Sequence, residues 1–485
     1  MPSINPISFK NFGALGIVRQ VEVEYYLARD GSVAEAQNVH FDREGAVTLR
    51  LGETILGTAM VSGAVYPCLG LHDSIFANGT SGTLITVFSD GTNNDIYRFT
   101  GSAWTKTLED DTAGAKTRFV TFADRVIRVN GTDGSMKCWA GGDGAWEGDG
   151  PPINPNQVEP YKPKFIEVYK GAVYLAGDST YPDRLLWSSV IDSTGTITFT
   201  LTDDYEDINP NDGENISGLK RYSSELDVFK PNYIYRFRTS AVDLDPLIKI
   251  GTRSQESIIE GKKGLYFHHE SGIFRYTGAY PVEISRPISD FIEAIPVSYM
   301  DDIVSWKDSN HIYWAVGDLT IDGESWTNVV LRFTESSEVW TIYSYATEIR
   351  WAGNYNDGTN VLQVVGDDNG SVLKVNSGNT DNGNPIPHKM ITHWYDLGNM
   401  AERKHISEIV SLCENAQGNK LQCQVDDDKN WQSIGQIRKY VNFHDGLDIK
   451  FHRIRFRIYG ISSIAPFIFQ GLIATKIENL GITKS

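Results

Sequence analysis

One strand pattern recurs seven times along this chain. It takes the form apolar–x–Arg–aromatic, or a close variant, and ends at a Gly, Asp or Ser turn. The copies read DIYRFTG (95–101), SMKCWAG (135–141), RLLWSS (184–189), YIYRFRT (233–239), GIFRYTG (272–278), VVLRFTE (329–335) and SVLKVNS (371–377). Corresponding positions fall 39–57 residues apart. Several copies follow a partner strand, as in DRVIRVNG (124–131), GAVYLAG (171–177), KGLYFHHE (263–270) and NHIYWAVG (310–317). A repeat of this length with several short strands per unit points to a β-propeller of six or seven blades. An isolated blade leaves one face bare, whereas blades stacked around an axis cover one another. Within a unit the alternation has period two, with Ile96 and Arg98 on one face and Tyr97 and Phe99 on the other. A set of unrelated hairpins in one or two β-sandwiches is the alternative.

The pattern stops near 377. SGNTDNGNPIPHK (377–389) reads as an interdomain linker, which leaves His388 and His393 in solvent. Beyond it HRIRFRIYG (452–460) alternates, Ile454, Phe456 and Ile458 facing a core and Arg453, Arg455 and Arg457 facing outward. The expected organisation is all-β: an N-terminal segment and hairpin over 1–60, a propeller body with inserted loops over 61–385, and a C-terminal β-sandwich over 386–485. One short helix is expected after Ser289 as N-cap, carrying Phe291, Ile292 and Ile295 and ending at Pro296.

Charge narrows the function. The chain has 44 Lys and Arg against 62 Asp and Glu, a net charge of −18. Such a chain does not grip nucleic acid through phosphates, where Lys and Arg supply the affinity. The imbalance is local: residues 1–400 hold 32 basic and 53 acidic side chains, residues 401–485 hold 12 and 9. The four cysteines, Cys68, Cys138, Cys413 and Cys423, form no metal-binding spacing and are expected as buried thiols. No run of about 18 apolar residues spans a membrane, and MPSINPISFKNFG has no secretory pattern.

A search for reaction chemistry yields no catalytic residue, metal ligand or cofactor motif. There is no H-E-x-x-H and no G-x-S-x-G. AGAKT (113–117) ends like a phosphate loop, but Glu109 stands where its first glycine belongs. His268 and His269, adjacent on a strand, point to opposite faces. DINPNDGEN (207–215) is rich in oxygen donors, but its glycine sits one position late for a calcium loop, so an Asx-rich turn is expected. DGPPINPNQVEPYKPK (149–164) reads as an extended connector.

EAQNVHFDREGAVTLRLG (35–52) reads as a hairpin whose turn, DREG, needs a glycine free to take positive φ. Ala36, Asn38, Val39, Phe41, Asp42, Gly45, Val47, Arg50 and Gly52 match a pattern that resembles the N-terminal region of packaged-DNA stabilisation proteins, the tail hubs or nozzles of short-tailed bacteriophages. Leu51 stands where that pattern usually has proline. The C-terminal DDDKNWQSIGQIRK, the Arg-alternating strand and APFIFQGLIATK also fit. The resemblance implies a non-enzymatic virion protein, made in the host cytoplasm and without a membrane anchor. It implies a ring of six copies below the portal or head-to-tail adaptor, carrying a tail needle, fibre or tip. The ring would extend the DNA channel, retain the genome and gate its ejection. Carboxylates lining that channel would repel phosphates, and Asp203, Asp204, Glu206 and Asp207, on a loop able to project, are the lumen candidates. The alternative is a propeller that binds host glycan through Trp104, Trp146 and Trp326, or a glycoside hydrolase.

Overall fold

Seven antiparallel blades account for the repeats, six as small separate sheets and one within a larger sheet. The computed structural model describes residues 3–482 apart from 10–11, 13–14, 20–30, 42–45, 59–65, 77–81, 133–135, 142–145, 147–157, 159, 193–195, 239–240, 244–248, 416–417 and 464–465. Each repeated strand is the third of its blade. Blade 1 runs Cys68–Ser74, Thr83–Ser89, Asn93–Phe99 and Trp104–Thr112, and blade 2 runs Arg118–Phe122, Arg125–Val129 and Lys137–Trp139. Blades 3, 4 and 5 begin with Phe165–Tyr169, Gly218–Tyr222 and Ile259–Glu260. Blade 6 runs from Val304–Lys307 to Val339–Ser344, and blade 7 begins with Ile349–Asn356.

The first strands stand around one axis, and blade 7 returns against blade 1. Hydrogen bonds join neighbours around this ring: Thr117 N to Leu69 O, 2.7 Å, between blades 1 and 2; Gln255 Nε2 to Leu219 O, 2.8 Å, between blades 4 and 5; Asn356 N to Asp73 Oδ2, 2.8 Å, between blades 7 and 1. The period-two alternation explains the stacking. In blade 1, Ile96 packs with Ile85 and Val87 against Val126 and Trp139 of blade 2, while Phe99 and Tyr97 pack on the other face against Trp351 and Tyr355 of blade 7. Large aromatic side chains fill the wedges between blades, as where Trp306 stacks on Tyr313 at 5.1 Å beside blade 7.

The ring is closed by a strand from the other end of the chain. Glu53–Ile55 pairs antiparallel with Leu373–Val375 and is the fourth strand of blade 7. The N-terminal residues do not form a unit of their own. Ser3–Ile4 and Ile7–Phe9 pair with Ile468–Gly481 in one sheet of a C-terminal sandwich, and Val39–His40 and Val47–Leu49 extend the same sheet. Ser32–Gln37 pairs with Ile386–Thr392 in the other sheet and, in parallel, with the last strand of blade 6. Blade 6 and that sandwich sheet are therefore one ten-stranded sheet. One core runs from Tyr266 and Trp340 in the propeller to Phe456 and Phe469 in the sandwich.

Three local expectations need correction. The helix Ser289–Glu293 exists, but Ser289 is its first residue and Ile288 occupies the cap position, with no side-chain cap bond; Arg286–Ile288 already turns as a 3₁₀ segment and shifts the start. Residues 377–389 are not a free linker, because Ile386–Thr392 is a central strand of the sandwich. His388 and His393 are consequently buried, His388 stacking on Phe467 with Nε2 2.9 Å from Asn419 Oδ1.

The closing strand gives a direct test. Leu56 N donates to Val372 O at 2.8 Å, and Val372 is fully buried. Leu56→Pro removes this donor and leaves the carbonyl unmatched, at a cost of about 1–3 kcal/mol. Chemical denaturation should show a lowered midpoint, and hydrogen exchange should locate the loss of protection in blades 7 and 1.

Candidate functional site: the joint and the axial channel

The matched pattern converges on a buried joint. At Asn38 the chain leaves one sandwich sheet for the other, and its φ of +58° is a left-handed conformation that asparagine tolerates. Asn38 Nδ2 donates to Pro387 O at 2.8 Å, and its Oδ1 accepts from Ser344 N at 2.7 Å and Arg50 Nε at 2.8 Å. Arg50 is 1% exposed. Its Nη1 donates to Asp381 Oδ1 at 2.8 Å and Leu51 O at 3.0 Å, and its Nη2 to Asp381 Oδ2 at 2.5 Å and Ser344 O at 2.6 Å. All five guanidinium donors are used. The guanidinium carbon also lies 4.3 Å from the centre of the Tyr345 ring. At Gly52 a Cβ would fall 1.9 Å from Thr380 O, so only glycine fits. Phe41 packs on the shared core, while Asp42 and Gly45 lie outside the described residues.

The electrostatics follow from burial. Desolvation opposes the Arg50 charge, but the Asp381 bond and the surrounding oxygens leave its pKa raised. Glu53, also 1% exposed, is pushed up to about 8, first by burial and then by repulsion from Asp381. At neutral pH it is chiefly a neutral carboxylic acid.

The propeller axis encloses a cavity of ≈ 510 Å³ lined by first strands. An ion pair bars it: Arg118 of blade 2 forks to Glu256, just before blade 5, at 2.6 and 3.0 Å. Burial opposes the Glu256 charge, yet Arg118 and Lys116 keep its pKa low. His72 Nε2 lies 2.8 Å from Thr121 Oγ1, and burial drives its pKa down to about 4. The channel mouth opens into a basin of ≈ 840 Å³. There Lys116 pairs with Asp302 at 2.8 Å and Arg253 with Asp301 at 2.8 Å. Asp178 accepts from the backbone of Lys162, Thr180 and Tyr181. These charges hold loops in place, and no nucleophile–base pair is assembled among them. Among the described residues, no three His, Cys, Asp or Glu side chains converge to hold a metal ion.

The acidic candidates are placed differently from expectation. Tyr205–Asp207 is the outermost strand of blade 3, not a projecting loop. Asp207 is engaged by Arg184 at 2.7 and 2.9 Å, and Asp204 Oδ2 accepts from Thr200 N at 3.2 Å. Asp203 and Glu206 are exposed. None of the four faces the axial channel, which the first strands line. In the calcium-like segment the cation is a lysine: Lys230 Nζ sits 2.8 Å from Asp183 Oδ1 and 2.8 Å from Asp212 Oδ2. The glycan candidates are packing residues. Trp146 stacks on Trp139 at 5.8 Å, Trp326 meets Phe291 edge-on at 5.2 Å, and Trp104 donates to Leu56 O at 2.9 Å. The four cysteines are buried and form no disulfide. Asp381, Ser344 and Tyr345 were not singled out, because no local motif marks a partner 331 residues from Arg50.

No family model matches the chain, and no curated protein does. Solved structures similar to it include virginiamycin B lyase of Staphylococcus aureus, at 14% identity and TM-score 0.41, covering 63% of this chain and 98% of that one. YCF48 bound to a D1 peptide is similar at 12% identity and TM-score 0.38, covering 69% and 96%. The AfRom2 CNH domain is similar at 10% identity and TM-score 0.41, covering 67% and 99%. One of these is an enzyme, and at 14% identity that neither gives this chain a reaction nor denies it one.

Two measurements check the joint. Arg50→Ala leaves the Asp381 carboxylate buried and unpaired, so it should cost about 3–5 kcal/mol; a double-mutant cycle with Asp381→Ala should show strong coupling. For Glu53, the folded state holds a proton that the unfolded chain releases near 4.5. Its contribution to stability is full below that pH and is lost as pH rises through about 8. Glu53→Gln should flatten the fall in stability over this window.

Proposed function

We propose that the chain is a structural subunit of a short-tailed phage tail, a hub or nozzle that assembles as a ring of identical copies, six in the reading taken here, beneath the portal or adaptor. One observation carries the reading. The residues that bear the resemblance, Asn38, Arg50 and Gly52, build the joint that locks propeller, sandwich and ring closure together. That these residues hold the architecture together supports the structural role the resemblance implies. The continuous sheet from blade 6 into the sandwich supports the same reading, since it couples both modules into one stiff body.

In this reading the DNA conduit lies between copies. The axis of a single propeller is crossed by the Arg118–Glu256 pair and cannot serve. A chain of net charge −18 suits a passage that duplex DNA must traverse without adhering. Needle, fibre or tip proteins would dock on the ring, and the site would be the virion. Leu51, at the position that usually holds proline, accepts from Arg50 through its carbonyl, a group that proline also has. The glycan-stacking alternative draws no support from Trp104, Trp146 or Trp326, all committed to packing.

Negative-stain imaging of the purified chain, alone and with a portal–adaptor assembly of a short-tailed phage, tests the proposal. Rings with a central passage that cap the adaptor are expected. An isolated particle that ignores the adaptor, or a passage rimmed by lysine and arginine, would overturn it.

A further inference from the structure

Two cations line the axial cavity without a carboxylate beside them. Lys220 and Arg221 lie on Gly218–Tyr222, the first strand of blade 4, and both face the cavity. Among the described residues, no side chain pairs with either. The other polar groups of the lining are matched within the protein. Arg118 forks to Glu256, and His72 Nε2 meets Thr121 Oγ1 at 2.8 Å. Gln255 exchanges two hydrogen bonds with the backbone of Leu219, and Ser305 Oγ donates to Glu256 O at 2.8 Å. Glu167, on the facing strand of blade 3, accepts from Val168 N at 3.0 Å and reaches neither cation. Three cations thus line the cavity against two carboxylates, in a chain whose net charge is −18.

The strand sets these two side chains apart. Leu219 packs between blades 3 and 4, so Arg221 stands on that side of the strand and Lys220 on the side of blade 5. Arg118 lines both the cavity and the basin, and Ser217, just before the strand, also lines the basin. Lys220 and Arg221 therefore lie beyond the Arg118–Glu256 bar, toward the opposite mouth. The bar keeps any chain from threading the axis and leaves a site for a small molecule. Its volume of ≈ 510 Å³ falls within the range of about 300–1,000 Å³ usual for ligand pockets. Leu71, Ile166, Ile258 and Trp351 supply an apolar wall. Lysine and arginine only donate, so the group they are built to meet is a negatively charged acceptor.

We propose that the axial cavity binds a small organic anion. Its phosphate or carboxylate group lies between Lys220 and Arg221, and its apolar part lies against Leu71, Ile166, Ile258 and Trp351.

Isothermal titration of the full chain with phenyl phosphate, benzoate and the neutral benzyl alcohol tests it, with a thermal melt of each variant as a folding control. Saturable binding of phenyl phosphate or benzoate is expected, and the tighter of the two tells whether the site is built for phosphate or carboxylate. Benzyl alcohol should bind at least about tenfold more weakly. Lys220→Gln combined with Arg221→Gln should weaken the anion by about tenfold or more without moving the melt, because neither side chain is buried. Lys420→Gln combined with Lys450→Gln, two exposed cations of the sandwich, should leave binding unchanged. If neither anion saturates at millimolar concentration, or benzyl alcohol binds equally well, the proposal is overturned. It also falls if the blade 4 variant binds as the wild type does, or if the sandwich variant weakens binding as much.

Discussion

A guanidinium removed from water must find a hydrogen-bond acceptor for every donor, and Arg50 is where this chain meets that demand. Burying an ion costs several kcal/mol before compensation, and only complete pairing offsets it. Its acceptors come from four places: Asn38, Leu51, the end of blade 6 at Ser344, and Asp381. No subset suffices. The strand that closes the propeller, the turn that switches sandwich sheets and the segment after blade 7 must all be in position together. The joint thereby couples the two modules, and each is fully built only when the other is.

The N-terminal segment gains its role from this coupling. The parallel pairing between Ser32–Gln37 and blade 6 rests on one residue pair, Ile342 with Gln37. Register there is weakly specified by the ladder alone. Asn38 supplies what the ladder lacks: its backbone N donates to Ile342 O at 2.8 Å, and its side chain receives Ser344 N. The left-handed turn at the same residue then carries the chain into the opposite sheet. One asparagine fixes a register, ends a strand and orients the arginine twelve residues on.

The parts of the fold legible in sequence are those with a local period. The seven third strands, the alternation of Ile454, Phe456 and Ile458, and the buried face of the short helix all follow from side chains two or four positions apart. The joint was half visible: Asn38, Arg50 and Gly52 stood out, but Asp381 lay in a polar stretch whose composition reads as solvent. The same composition hid the strand Ile386–Thr392, because the turn-rich SGNTDNGNP runs into it without a break, and so His388 was misplaced. The lysine that fills the DINPNDGEN turn sits on the next strand pair, where spacing rules for metal loops cannot see it. The acidic run 203–207 reads as a projecting loop, but Glu206 and Asp207 lie on the outer strand of blade 3, with Asp203 and Asp204 in the turn before it. That depends on how many strands the blade has, which only pairing decides.

Charge is distributed by a single logic across these features. The buried Arg50 and Lys230 and the half-buried Arg118 each sit against carboxylates, so their charge is spent internally on fixing loops and strands. What remains outside is acidic over residues 1–400 and mildly basic over 401–485. The basic excess is thus confined to the later part of the chain, and the longer part presents mainly carboxylates. Interactions among these exposed side chains are screened within about 10 Å at 0.1 M ionic strength. The joint is exempt, since its charges are sealed from solvent. Ionic strength therefore acts on the charges at the surface and leaves the Arg50–Asp381 pair at the joint intact.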